Sequence, residues 1–143
     1  MNEEGNNVIL EQHEQENVDV LQKIYAALDN DDIQGVLAYL TDDVECRILP
    51  VEVPFGGVFH GLEGLRKFFE NLKETFKYES VTREQVVRGD KIIVFGHEQA
   101  RIMPLGNLFE TDFVAIYSFR QGKLSKIQVF GDGVGLVKAY RGE

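Results

Sequence analysis

His97, Gln99 and Arg101 occupy alternate positions of the run Ile92 to Met103, so an extended backbone puts all three on one face. An imidazole exchanges a proton near neutral pH. A guanidinium holds a carboxylate or an enolate-like oxygen, and a carboxamide can orient either. Together they suit acid–base chemistry on an oxygen-bearing molecule, with His97 as acid or base and Arg101 or Tyr117 as electrophilic partner. Ile93, Phe95 and Met103 share that face and argue for its burial; periodicity alone leaves open that the face meets solvent and that its polar residues are ordinary surface groups. Partial burial, with Arg101 two residues along, should hold the His97 pKa below about 6.5 and leave a neutral imidazole at pH 7.

Other chemistries find less support. His13, His60 and His97 lie far apart without an HExxH pattern or cysteine pairs, so no metal site is expected. Gly56-Gly57 and the stretch Gly131 to Gly135 lack the strand-to-helix context of a phosphate loop or dinucleotide fingerprint, and no cofactor is expected. Cys46, the one cysteine, sits mid-strand among apolar residues without a basic cluster, which predicts a buried inert thiol.

A sheet must hold these residues. The stretch Lys91 to Asp132 reads as three strands, Ile92 to Met103, Phe109 to Phe119 and Leu124 to Phe130, joined by turns at Pro104-Gly106-Asn107 and Gln121-Gly122. Connections this short join antiparallel neighbours, so the stretch is a meander. Tyr78 to Arg88 supplies a strand before it. Upstream, helical spacing starts at Asn17 with Val18, Leu21, Ile24, Tyr25 and Leu28. A short helix follows, carrying Ile33, Val36, Leu37 and Leu40, with Asp31 and Gln34 as its capping box. Thr41 to Asp43 reads as a turn, Val44 to Leu49 as a strand, and the apolar-rich loop from Pro50 to Phe59 as a cavity mouth. A third helix follows Gly61, its Leu65, Phe68, Phe69 and Phe76 read as core packing, and Gly133 to Glu143 reads as a glycine-rich exit. Helices segregated from an antiparallel sheet make the fold class α+β. Residues 1–16 are expected as an N-terminal tail and 17–143 as a single domain.

Composition narrows the partners. A chain of 143 residues suits one domain, and a net charge of -9 with a pI near 4.8 argues against nucleic acid and anionic membranes. No signal peptide pattern opens the sequence, and no apolar run approaches the ~18 residues of a membrane span, so a soluble cytoplasmic protein is expected.

The phrases IYAALDNDDIQGVLAYLTDDVE, FHGLEGLRKFFENL and FVAIYSFRQGKLSKIQVFGD resemble the SnoaL-like branch of the nuclear transport factor 2 and ketosteroid isomerase superfamily, over about Asn17 to Asp132. The resemblance implies a cone in which a curled antiparallel sheet and three helices enclose a pocket, with pairing of subunits through the sheet. The superfamily hosts isomerases, cyclases, epoxide hydrolases and binding modules, so the fold alone does not choose a reaction. Matched without gaps to the steroid isomerases, Ile48 falls at their general-base aspartate, Ile24 at their oxyanion-hole tyrosine and Ala115 at their protonated aspartate. Tyr25 is rotated by about 100° from that tyrosine position and is expected only among the ligand-lining residues. The alternating arginine and aspartate of the epoxide hydrolases is incomplete, because no carboxylate joins Gln99 and Arg101 on their face. The family alignment puts His97, Gln99 and Arg101 on the concave side with Thr111, Phe113, Ala115 and Tyr117. Phe95, Phe113, Ile48, Val129 and the aromatics of the third helix are expected as the wall, and Asp132 as an acidic position the family often keeps, or simply a turn-former.

Two functions stay open. One is an isomerase, cyclase or hydrolase acting on a small apolar or carbonyl-bearing ligand; the other is a non-catalytic ligand-binding or assembly module. Apolar residues on both faces of the strand holding Val114 and Ile116 predict a homodimer through the sheet.

Overall fold

Alternate residues of the central strands point to one side of a sheet, and the helices close over that side. The structure is a computed structural model and describes residues 9–143. Its elements run α1 (Gln12–Asp29), α2 (Ile33–Leu37), β1 (Leu40–Ile48), β2 (Gly57–His60), α3 (Gly61–Thr75), β3 (Phe76–Arg88), β4 (Lys91–Ile102), β5 (Asn107–Arg120), β6 (Lys123–Phe130) and α4 (Gly133–Arg141). The strands form one six-stranded sheet in the order β2-β1-β6-β5-β4-β3. This is the α+β cone that the resemblance implied.

The meander from β3 to β6 is antiparallel throughout, as its short turns require. Beyond it the sheet is mixed. β1 lies parallel to β6, with Cys46 opposite Ile127 and Ile48 opposite Val129. Thr41 to Asp43 belong to β1 rather than to a turn, and part of the expected apolar loop forms β2, antiparallel to β1. The glycine-rich exit is a fourth helix instead. Asp132 caps α4 by accepting from the Gly135 N–H at 2.9 Å, and Gly142 ends it at φ 80°.

α1 starts inside the expected tail. The Glu11 N–H donates to Glu14 Oε1 at 2.9 Å, and Glu14 Oε2 accepts from the Gly89 N–H at 2.7 Å, tying the first turn to the β3–β4 hairpin. The first eight residues of the tail lie outside the described residues. At α2 the cap is Asp32, which accepts from the Gly35 N–H at 2.8 Å, and not Asp31, whose φ is 59°.

The core lies between the concave face and the helices: Val18, Leu21 and Ile24 from α1, Leu65, Phe68 and Phe69 from α3, and Ile92, Val94, Ala100 and Ile102 from β4 are all buried. Each large apolar side chain contributes roughly 1.5–3 kcal/mol on burial. Buried Cys46 has its thiol pushed upward, chiefly by desolvation, in keeping with the inert thiol expected. No helix among the described residues is long and apolar enough to cross a membrane.

Candidate functional site

Cross-strand register decides which residues face the cavity. β4 pairs with β5 so that Gly96 lies opposite Phe113, Glu98 opposite Thr111 and His97 opposite Asp112. Paired residues share a face. The inward set is therefore Ile92, Val94, Gly96, Glu98 and Ala100 with Phe113, Ala115 and Tyr117; His97, Gln99 and Arg101 point away from it, beside Asp112 and Glu110.

This corrects the expected site. His97 Nδ1 lies 2.8 Å from Asp112 Oδ1 and its Nε2 2.5 Å from Glu110 Oε2, and these carboxylates, Asp112 first, hold its pKa above the usual value rather than below it. Arg101 Nε donates to Glu79 Oε2 at 3.0 Å, and Gln99 Oε1 accepts from Ser80 Oγ at 3.2 Å. Phe95, expected in the wall, is 37% exposed on the same outer face. Both faces of β4 carry apolar residues, so alternation divides them without saying which is inside. The remaining expected residues, Tyr25, Ile48, Phe113, Tyr117, Val129 and Asp132, do line one cavity of about 540 Å³.

α1 brings Tyr25 to that cavity and β5 brings Tyr117; the hydroxyls meet at 3.4 Å, and the rings stand edge to face at 6.3 Å. Burial pushes both phenols upward, Tyr117 well above its ordinary value, so both stay protonated donors at neutral pH. Tyr78 is pushed the same way, although 52% of its surface stays exposed. From β3, the Arg83 guanidinium carbon sits 4.4 Å from the centre of the Tyr25 ring. α3 supplies Phe68 and Phe69 to the wall, and the loop before β2, read from the sequence as a cavity mouth, supplies buried Phe55. Asp132 spends its carboxylate on the α4 cap.

Glu98 is the residue the sequence reading passed over. Its carboxyl is held at about 7 by desolvation, against the opposing pull of Arg83 and then His97. At neutral pH both forms are populated, which suits a group that must take and return a proton. The signal was present: Glu98 is the one ionisable residue on the otherwise apolar even-numbered face of β4. A second hollow, of about 550 Å³, lies where α4 meets the ends of β1 and β6, but Leu49, Phe130 and Val134 around it are exposed side chains. No cluster of three or more potential metal ligands occurs among the described residues.

A family model described as the SnoaL-like domain matches residues 21–127. The chain belongs to the SnoaL-like family. Among solved structures, this SnoaL-like chain is similar to an NTF2-like protein from Burkholderia xenovorans LB400, with 29% identity, TM-score 0.80 and coverage of 88% of this chain and 96% of that one. It is also similar to TerC co-crystallised with polyporic acid, at 24% identity and TM-score 0.75 over 88% and 98% of the two chains. A protein from Jannaschia sp. CCS1, described provisionally as a SnoaL-like polyketide cyclase, shares the fold at 16% identity and TM-score 0.79 over 96% and 99%. No curated protein matches the chain.

Proposed function

We propose that this SnoaL-like protein binds a small, largely apolar, carbonyl-bearing molecule in its cavity and moves a proton on it, as an isomerase, cyclase or hydrolase does. The observation that supports this reading is a carboxyl held near 7 in the same cavity as a hydrogen-bonded tyrosine pair. The acid–base role first given to His97 passes to Glu98, and Tyr117 keeps its role as electrophilic partner with Tyr25 beside it. In the proposed step the Glu98 carboxylate takes a proton from the carbon next to the carbonyl. Tyr117, which accepts from the Tyr25 hydroxyl, donates to the oxygen as it becomes an enolate, and protonated Glu98 returns the proton to another atom of the ligand. Protons balance and no oxidant is needed. TerC, crystallised with polyporic acid, is consistent with a cyclic, oxygen-bearing ligand here.

The test is native mass spectrometry of the protein after exposure to a metabolite extract, followed by turnover of whatever is retained. Glu98→Gln should keep the ligand and lose turnover by on the order of a hundred- to ten-thousandfold. Retention with no turnover by the unaltered protein would favour the binding-module reading. No retention at all would remove both.

We also infer that a second copy covers the outer face of the sheet. Phe95 and Val114 are exposed there at 37% and 38% and face each other across β4 and β5, with Ile93 and Ile116 two pairs further on, the next pair on that face. Apolar residues on an otherwise solvated sheet face fit a self-complementary interface.

A further inference from the structure

Arg83 is the one arginine among the described residues that lines the cavity; Arg88, at the end of the same strand, also reaches no carboxylate among them but lies outside the cavity. Arg101 reaches Glu79, Arg120 reaches Asp43 and Arg47 reaches Glu45, whereas Arg83 reaches no carboxylate among the described residues and lies over the Tyr25 ring. Its cross-strand partner is Gly96, so no side chain stands directly opposite it on β4. Lys73, a nearby cation on α3, is taken by Asp31. A guanidinium whose planar fork is unspent, at the wall of an apolar cavity, is a receptor for a planar or tetrahedral oxyanion.

We propose that the cavity takes an amphiphilic anion, an aromatic or polycyclic body with a carboxylate, sulfonate or acidic enol at one end, and that Arg83 binds the charged end. This rests on the reading of the cavity as a ligand site and adds the charge of the ligand to it. The general field of the molecule cannot supply the attraction, because the chain carries a net charge of -9 and repels anions at long range. The attraction must come from cations that line the cavity, Arg83 and Lys77, of which Arg83 is the one set against the Tyr25 ring. Glu98 opposes it, and its repulsion is reduced because burial disfavours the carboxylate.

Two fluorescent probes that differ mainly in charge test this: anilinonaphthalene sulfonate, an aryl anion, and phenylnaphthylamine, which lacks the sulfonate. The anion should bind the unaltered protein more tightly. Arg83→Gln, at an exposed position, should weaken it about ten- to a hundredfold, the range of a charge-assisted hydrogen bond, and leave the neutral probe unchanged. Glu98→Gln should tighten the anion alone. An anion preference that survives Arg83→Gln, or a preference for the neutral probe, overturns the proposal while the cavity reading stands. The fillers Ala115→Leu and Val129→Phe, on separate strands of the cavity wall, should weaken both probes; if neither filler weakens either probe, the cavity reading fails and this proposal with it.

Discussion

Glu98 costs the fold something at neutral pH. Its carboxyl is raised from 4.5 to about 7, so the folded state binds this proton more tightly than the unfolded chain does. Stability therefore falls as pH rises from about 4.5 to about 7, by about 3 kcal/mol in full. Glu98→Gln should accordingly unfold at higher urea than the unaltered protein at about pH 8, and the gap should narrow at about pH 5. A gap that stays constant with pH would show that the carboxyl is not desolvated. His97 has the opposite sense. Its raised pKa adds stability that is complete below about 6.5 and is lost as pH climbs through the folded value. The loss caused by His97→Gln should be greatest in mild acid and vanish in alkali, and an NMR titration should put the His97 midpoint above 6.5. Single residues were the least legible part of the site. His97, Gln99 and Arg101 announced themselves by type, but their orientation depends on which residue of β5 lies opposite, and that is set by the Pro104 to Asn107 turn rather than by any property of the three.

Gly96 shows what a strand asks of one residue. A Cβ built there would lie 1.8 Å from the Thr82 carbonyl oxygen, a backbone atom, because β3 presses against β4 at that point. Gly96→Ala should cost about 3 kcal/mol by denaturant unfolding and also disturb Arg83, which pairs with position 96. A loss under about 1 kcal/mol would mean that the close approach relaxes easily. The elements themselves were largely readable. α3 followed from the spacing of Leu65, Phe68 and Phe69, and the meander from its turn residues, since local periodicity reports a buried stripe directly. The misses share one cause, which is partners distant in sequence. The early start of α1 depends on Glu14 meeting Gly89, 75 residues away. β2 exists only because β1 offers it an edge, and α4 needed the Asp132 cap to be recognised within a glycine-rich run.

At the scale of the molecule, the cone was legible because three phrases along the chain resemble one family, whereas the association state leaves only a pattern of apolar residues. Val114→Asp, on the outer face, should shift light scattering from dimer to monomer at micromolar concentration without lowering thermal stability by more than the coupling to the partner. A monomer in the unaltered protein would remove that inference and leave the cavity untouched. The parallel pairing of β1 with β6 has a consequence of another kind. Leu40–Ile48 emerges early in synthesis, but its neighbour Lys123–Phe130 follows only after β2, α3 and the whole of β3 to β5. At roughly 5–20 residues per second, a ribosome leaves that side of β1 without its strand for several seconds. During that interval β2 is its only sheet partner, and the apolar row of Val44, Cys46 and Ile48 has nothing from β6 to pack beside. Hairpins of the meander can form locally, yet the cone cannot close until Lys123–Phe130 is available. Conditions that slow synthesis or truncate the chain before Lys123 should therefore expose β1 to capture by chaperones or to aggregation, a vulnerability that belongs to the order of the strands rather than to the stability of the finished fold.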